Sequence, residues 1–260
     1  MELQNYTLLV MGLLLVMVLP WLISIKMRNV STVDSLWSLI FLCLVSGYAV
    51  MLDTISARGW VVLLLVTIWA LRLSVHISFR VHGKGEDKRY KVIRENNEPG
   101  FKYKSLYIVF WLQTALAAVI AIPLIVSLNS ANPISAIDFI GLALWLSGMF
   151  FEVVGDYQLT IFQKNPNNKN KVLNTGLWQY TRHPNYFGEC VLWWGFYFIC
   201  VSAGGWWTIF APIVMTILLV KVSGVTLLED TIEARRPNYA AYIKTTNAFI
   251  PGTKKKVSPT

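Results

Sequence analysis

The chain alternates long apolar segments with shorter polar ones. A helix that crosses a hydrocarbon core of about 30 Å needs roughly 20 mostly apolar residues. Seven windows of about that length lie at 6–25, 34–52, 57–79, 105–128, 136–162, 184–203 and 206–228. The pattern therefore predicts an all-α, polytopic integral membrane protein with seven transmembrane helices.

The first window differs from a signal peptide. Its apolar run is longer than the roughly 7 to 15 residues of a signal peptide core, and no basic residue precedes it. We therefore expect a retained helix. No repeat of 20 to 50 residues and no linker between soluble domains is visible, so residues 1–260 are predicted to form a single membrane domain.

Composition agrees with a membrane protein. Of the 260 residues, 55% are hydrophobic and 14% are charged, whereas about a quarter are charged in a soluble domain. Three cysteines, Cys43, Cys190 and Cys200, lie in apolar runs without C-x-x-C spacing. This pattern argues against a disulfide framework and against a metal site.

The net charge of +9 comes mostly from Lys and Arg in the segments outside the apolar windows. It therefore does not indicate a surface that binds nucleic acid. Twenty of the 23 Lys and Arg lie in the four segments that directly follow the first, third, fifth and seventh windows. The positive-inside rule makes those segments cytoplasmic, with the N-terminus outside and the C-terminus in the cytoplasm. The basic tail from Lys254 is expected to contact membrane lipids, and no nucleic-acid partner is expected.

Ionisable side chains inside a bilayer are costly, so each one in a predicted span is a candidate functional residue. Eight candidates lie within the predicted windows, and Glu229 directly follows the seventh. The set of candidates is Asp34, Arg72, His76, Asp138, Glu152, Asp156, Glu189, Lys221 and Glu229.

Two pairs of these polar residues have helical spacing. Glu152 and Asp156 are four residues apart and share one helix face, and Asn185 and Glu189 repeat this spacing. Paired carboxylates in a membrane can neutralise cations, share a proton or accept hydrogen bonds from a ribose.

The sixth window begins beside several cations. Pro184 suits the first turn of a helix, and Arg182 and His183 precede it, with Lys171 nearby in the loop. Free N–H groups at a helix start, flanked by cations, favour a phosphate. The alternative is that these cations only meet lipid headgroups.

The second and third windows carry a second candidate site. Asp34 opens the second window close to Trp37; it caps the helix or, with Trp37, forms one wall of a substrate pocket. His76 lies one turn after Arg72 and is either a packing residue or a proton donor. The run 82–90, which contains Glu86 and Tyr90, has G-x-G but no third glycine, so it is not a Rossmann fingerprint. It is either a solvated charge run or part of the site.

Residues 174–189 read Asn-Thr-Gly-Leu-Trp-Gln-Tyr-Thr-Arg-His-Pro-Asn-Tyr-Phe-Gly-Glu. This run closely resembles the C-terminal signature of the steroid 5α-reductase superfamily, in particular its bacterial 3-oxo-5α-steroid 4-dehydrogenase-like branch. The resemblance extends from about residue 29 to 251 and includes 34–37, 85–90, Asp156, Ser223-Gly224 and 238–242.

The resemblance implies a seven-helix enzyme that reduces a carbon–carbon double bond conjugated to a ketone with NADPH. It implies that a steroid-like substrate enters from the bilayer and NADPH from the cytoplasm, with the bacterial inner membrane as location. Arg182-His183-Pro184 with Tyr186 also resembles the isoprenylcysteine carboxyl methyltransferases, so S-adenosylmethionine-dependent methyl transfer is the alternative.

The resemblance also implies residue roles. It places substrate recognition in residues 1–104, with three helices, and cofactor binding in 105–260, with four. Trp37 and Glu86 are expected to contact substrate. The expected NADPH ligands are Glu152, Asp156, Lys171, Tyr180, Arg182, His183, Asn185, Glu189 and Lys221.

One departure concerns the acid that polarises the ketone. Eukaryotic steroid reductases use a Gln-Glu pair, and this chain has no Gln-Glu dipeptide. Asp34 is the expected substitute, with Tyr90 or His76 as proton donor. This departure bears on the identity of the substrate more than on the chemistry.

Overall fold

The computed structural model describes residues 2–222 and 239–254. Within these ranges the chain is helical, with an isolated bridge between Thr181 and Asn247 and no β-strand. An all-α fold is therefore confirmed for the described part of the chain. The end of the seventh predicted span, Ser223-Gly224, Glu229 and Asn238 lie outside the described residues.

The helices are joined by connections of different lengths, and the longest one in the described part of the chain is the segment 165–183 between α9 and α10. In chain order they are α1 (Leu3–Val16), α2 (Val18–Met27), α3 (Thr32–Val50), α4 (Ala57–Val81), α5 (Lys88–Asn96), α6 (Phe101–Ser105), α7 (Leu112–Ile120), α8 (Ile122–Leu128), α9 (Ala136–Lys164), α10 (Pro184–Ser202), α11 (Phe210–Ile217) and α12 (Tyr239–Thr245). A π-helical segment, Leu106–Trp111, joins α6 to α7, and another, Leu218–Val222, follows α11.

Five helical segments are long and apolar enough to cross a membrane: Leu3–Met27, Thr32–Val50, Ala57–Val81, Phe101–Ile120 and Ala136–Lys164. Each overlaps one of the first five predicted windows. The chain is accordingly a multi-pass membrane protein. The sixth window corresponds to α10, of 19 residues, and the seventh begins with a shorter apolar helix, Trp206–Lys221.

Two predicted spans are interrupted, each close to a proline. The first is divided at Met17, three residues before Pro20, and the fourth is divided at Ala121, two residues before Pro123. Proline has no N–H and its ring crowds the preceding turn, so a regular helix does not run through it. The apolar pattern, which counts only hydropathy, contains no sign of these breaks.

The chain packs as two compact units, Met1–Pro133 with Ala203–Gly205, and Ile134–Ser202 with Trp206–Thr260. The predicted halves, 1–104 and 105–260, divide the chain by function and remain a prediction. The packing boundary lies about 29 residues later, between Pro133 and Ile134.

The first unit is built around an aromatic row on α3 and α4. Trp37 packs edge-on against Phe41 with ring centroids 5.2 Å apart, and Phe41 packs in the same way against Trp69 at 5.5 Å. Phe41 and Trp69 are fully buried. Ser74 Oγ of α4 donates a hydrogen bond of 2.7 Å to the backbone oxygen of Ser35. These contacts hold the start of α3 against α4.

The second unit is dominated by the pairing of α9 with α10. A side chain at Gly148 of α9 would place Cβ 2.5 Å from the backbone oxygen of Gly188 on α10. A Cβ at Gly188 would lie 2.5 Å from the backbone oxygen of Gly148. Small residues at such positions let two membrane helices approach backbone to backbone. The polar residues of α9 and α10 are therefore brought onto one seam.

Candidate functional site

Asp34 is the centre of a polar cluster in the first unit. It lies in the first turn of α3, and both carboxylate oxygens are engaged by residues of α5. The Tyr90 hydroxyl donates a hydrogen bond of 2.6 Å to Oδ1, and Arg89 Nη2 donates one of 2.8 Å to Oδ2. The structure thus joins Asp34 to Tyr90, two of the residues proposed for catalysis.

The loop before α5 fixes this helix against the start of α3. Asp87 caps α5 by accepting a hydrogen bond from the Arg89 N–H. The Asp87 N–H donates to Ser31 Oγ at 2.7 Å, and the Val30 N–H donates to Glu86 Oε1 at 2.9 Å. Two hydrogen bonds between segments that are distant in sequence therefore set the position of Tyr90.

Glu86 is held by a paired interaction with Arg94. Two guanidinium nitrogens of Arg94 donate to its two carboxylate oxygens at 2.7 and 2.9 Å. Burial alone would raise the pKa of Glu86, but the hydrogen bonds from Arg94 and from the Val30 N–H lower that pKa below its ordinary value. Glu86 braces the loop in this structure, and its contact with substrate remains a prediction.

Gln113 of α7 completes the environment of Tyr90. Its Nε2 donates a hydrogen bond of 2.9 Å to the Tyr90 hydroxyl oxygen. Burial, and then the charge of Asp34, raise the pKa of Tyr90 well above its ordinary value. The phenol therefore stays protonated, held between a carboxylate acceptor and an amide donor.

Sequence reasoning missed both Gln113 and the contact made by Arg89. Gln113 is a polar side chain inside the fourth predicted span, which is the signal that marks a functional residue in a membrane. An amide carries no charge, so a rule based on ionisable residues does not select it. Arg89 lies within the run 85–90 that carries the family resemblance, but spacing alone gives it no partner.

The two other residues predicted for this site lie on α3 and α4. Trp37 is half-buried on α3, within the aromatic row. His76 is half-buried on α4. The hydrogen bonds to Asp34 described above come from Tyr90 and Arg89 of α5. A catalytic role for His76 remains a prediction.

A second polar cluster lies on the seam between α9 and α10. Glu152, Asp156 and Glu189 are 2%, 5% and 6% exposed. Asn185 Nδ2 donates a hydrogen bond of 3.0 Å to Asp156 Oδ1, and Trp193 Nε1 donates one of 3.1 Å to Glu189 Oε1. The two polar pairs inferred from helical spacing therefore meet in one buried seam.

The Asn185 side chain on this seam has unused hydrogen-bonding capacity. Asn185 Oδ1 is buried and has no hydrogen-bond partner among the described residues. An unsatisfied buried acceptor is costly, so a missing donor is expected at this point. The amide N–H groups of a nicotinamide carboxamide are donors of the required kind, so the residues present fit that end of NADPH.

Arg182 and His183 are buried deeper than a headgroup-binding role requires. Arg182 is 8% exposed and His183 is 3% exposed. Arg182 Nη1 donates to the backbone oxygens of Thr246 at 2.8 Å and Ile243 at 3.2 Å. The His183 ring stacks on that of Tyr186, with centroids 5.8 Å apart. Arg182 therefore ties α12 to the start of α10, in addition to any role with phosphate.

The remaining predicted cofactor ligands face outward. Lys171 and Lys221 are exposed, and the Tyr180 side chain is 44% exposed. Exposed lysines are available to a phosphate arriving from water, but their position alone does not define a site. Their assignment to NADPH remains a prediction.

Comparison with known proteins identifies the family. Residues 20–246 match the family described as "Protein of unknown function (DUF1295)", and the chain belongs to this family. It is 28% identical to an uncharacterized protein of Schizosaccharomyces pombe over 93% of this chain and 79% of that protein. No solved structure matches the chain.

Shorter similarities connect the chain to enzymes. It is 38% identical over 66 residues to 3-oxo-5-alpha-steroid 4-dehydrogenase 1 of Bos taurus, covering 25% of this chain and 26% of that enzyme. For the enzyme of the same name from Rattus norvegicus the identity is 36% over 81 residues, covering 31% and 30%. The chain thus spans less than a third of each steroid dehydrogenase, and the resemblance to the steroid 5α-reductase superfamily is confirmed at this level.

Proposed function

We propose that this protein is an NADPH-dependent membrane reductase that saturates the double bond of an apolar enone, with 3-oxo-4-ene steroids as the model substrate class. The observation that carries the proposal is the Tyr90 phenol, held between Asp34 and Gln113. The partial similarity to 3-oxo-5-alpha-steroid 4-dehydrogenases supports the choice of substrate class.

In this proposal, Tyr90 polarises the ketone. As the β-carbon of the enone accepts a hydride, negative charge develops on the ketone oxygen. A preorganised donor aimed at that oxygen gives the largest protein contribution to such a reaction. The Tyr90 O–H turns from Asp34 toward the ketone oxygen, while Gln113 continues to donate to the phenolic oxygen and so strengthens the phenol as a donor.

Asp34 and Arg89 serve as positioning residues. The carboxylate keeps the Tyr90 hydroxyl in place before substrate arrives, and Arg89 balances its charge. The enolate then takes a proton at the α-carbon from solvent. The substrate gains one hydride and one proton, which together amount to two hydrogens.

In the second unit, Asp156, Asn185 and Glu189 are the residues that would hold the ribose and carboxamide of NADPH. Lys171, Arg182, His183 and Lys221 would meet its phosphates, since each carries donors that suit a phosphate oxygen. The dinucleotide supplies the hydride when bound.

The proposal includes the finer topology: seven spans, with the N-terminus outside and the C-terminus in the cytoplasm. α10 has 19 residues, which is close to the length a bilayer requires. The basic loops would then face the cytoplasm, the compartment that supplies NADPH.

Cofactor binding by the full-length protein in detergent tests the proposal against its alternative. Isothermal titration with NADPH and with S-adenosylmethionine should show binding of NADPH only. Binding of S-adenosylmethionine in the absence of NADPH binding would instead assign the chain to methyl transfer.

A further inference from the structure

A basic cleft opens in the first unit, on the side of the Glu86–Arg94 pair where α2, α5 and α6 meet. It has a volume of about 350 Å³ and is lined by residues from the end of α2, from α5 and from α6, among them Arg28, Arg94 and Lys102. None of its lining residues is acidic. We propose that this cleft binds a phosphate ester, with the phosphate on Arg28 and Lys102.

The floor of the cleft is fixed by hydrogen bonds. Trp21 Nε1 donates to the backbone oxygen of Lys102 and to Ser105 Oγ, each at 3.1 Å. Ser24 Oγ donates to the backbone oxygen of Trp21 at 2.7 Å. Ser24 and Ser105 are fully buried. Trp21 therefore joins α2 to α6, and the cleft keeps its shape without a ligand.

The charges at the cleft are unevenly compensated. Arg94 is paired with Glu86, and Glu98 adds a further negative charge nearby. By contrast, no ion pair involves Arg28 or Lys102 within residues 2–222 and 239–254. Both side chains are exposed and line the same cleft. The Lys102 ammonium lies over the Tyr103 ring, 4.6 Å from its centroid, and this cation–π contact leaves the positive charge without a carboxylate partner among the described residues. Two cations without carboxylate partners at one cavity favour an anion.

The shape of the cleft indicates an ester in preference to a bare ion. A volume of 350 Å³ lies at the lower end of the roughly 300–1,000 Å³ of small-molecule pockets. Part of its wall is apolar, from Ile25, Val30 and Phe101. The carbon chain of a phosphate ester packs on such a wall, whereas inorganic phosphate leaves it uncovered.

Two sources present this chemistry, an anionic phospholipid and a soluble phosphate ester. Both are tested with the full-length protein, using the double variant Arg28→Gln/Lys102→Gln. The matched control is Lys26→Gln/Lys91→Gln, which removes the same charge from exposed lysines of α2 and α5 that do not line the cleft. Lys102→Arg serves as a charge-preserving variant.

For the lipid, the protein is released from bilayers of phosphatidylcholine and phosphatidylglycerol, and retained phosphatidylglycerol is counted by native mass spectrometry. For the soluble ester, glycerol 3-phosphate is titrated into the detergent-solubilised protein. One of the two ligands should bind, at least about tenfold more weakly to the cleft double variant, because charge-assisted hydrogen bonds are lost. The control double variant and Lys102→Arg should bind like the wild type.

Retention of phosphatidylglycerol identifies a lipid, and binding of glycerol 3-phosphate identifies a soluble ester. The proposal is overturned if neither ligand binds, or if the cleft and control double variants weaken binding equally. The inference does not depend on the reductase activity, since neither readout involves NADPH.

Discussion

Tyr90 and Asp34 are 56 positions apart in the sequence, yet the Tyr90 hydroxyl lies 2.6 Å from Asp34 Oδ1. Gln113 Nε2 approaches the same hydroxyl oxygen to 2.9 Å from a different helix. Two neighbours therefore fix the phenolic oxygen. The hydroxyl hydrogen can still move by rotation about the C–O bond. A hydroxyl placed in this way can change its acceptor without moving its ring.

Removing that hydroxyl tests its role in turnover. Tyr90→Phe keeps the ring and removes the donor, so kcat should fall roughly 10²–10³-fold, as for loss of one oxyanion donor. The affinity for NADPH should change little. Steady-state kinetics with an enone substrate measures both. Tyr103→Phe, at a side chain that is 63% exposed, controls for loss of a phenol, and an equal loss of kcat in that variant would refute the assignment.

The close approach of α9 and α10 should make a larger side chain at Gly148 destabilising. In Gly148→Ala the new Cβ meets backbone atoms of Gly188 and Leu192 at 2.5 Å, which cannot move aside as a flexible side chain can. The free energy of unfolding should fall by about 1–3 kcal/mol, typical of overpacking. Thermal unfolding in detergent measures this effect.

The control for this variant is Gly12→Ala in α1, where a Cβ meets nothing within 4 Å. Its Tm should equal or slightly exceed that of the wild type. A Gly148→Ala variant as stable as Gly12→Ala would show that the helices are farther apart than described.

The Glu86–Arg94 pair should give the protein a pH-dependent stability. The ordinary pKa of a glutamate is 4.5, and that of Glu86 is lower in the folded protein. A lowered pKa stabilises the folded state above the ordinary value, and this contribution is lost as the pH falls through the folded value.

The difference in Tm between wild type and Glu86→Gln should therefore be largest near pH 6 and shrink below about pH 4.5. Glu95→Gln, at an exposed residue of α5, the helix that carries Arg94, controls for the loss of one charge. A difference that grows as the pH falls would have the wrong sign for this explanation.

Asn185 offers a test of cofactor binding. Asn185→Ala removes the buried Oδ1 that lacks a partner among the described residues, so the Kd for NADPH should rise about tenfold, the value of one well-made hydrogen bond. Titration calorimetry measures the Kd. Asn167→Ala, in the exposed loop after α9, should bind NADPH as the wild type does, and equal Kd values for all three proteins would remove Asn185 from the site.

The sequence predicts the long helices well because their signal is local. Windows 57–79 and 136–162 differ from α4 and α9 by two residues at one end only. Helical spacing likewise places Glu152 with Asp156, and Asn185 with Glu189. The breaks at Met17 and Ala121 were not predicted, because hydropathy is insensitive to backbone hydrogen bonding near proline.

The contacts of Tyr90 could not be predicted in the same way. The polar segment 80–104, which contains α5, has no apolar periodicity, and its position depends on hydrogen bonds to Val30 and Ser31, which are far away in sequence. The choice between Tyr90 and His76 therefore stayed open at the level of the sequence. The sequence does contain a signal for Gln113, which is a lone amide in an apolar span. It also contains a signal for the Gly148–Gly188 approach, because glycines recur every seven residues in both helices.

Enone-dependent oxidation of NADPH by the purified full-length protein is the direct test of the proposed reductase activity. The protein is incubated with NADPH, with and without a 4-en-3-one steroid such as progesterone, and the products are analysed by mass spectrometry. A reductase should oxidise NADPH only when the enone is present and should give a product heavier by two hydrogens. A correctly folded protein that binds NADPH and leaves a range of apolar enones unchanged would contradict the proposal.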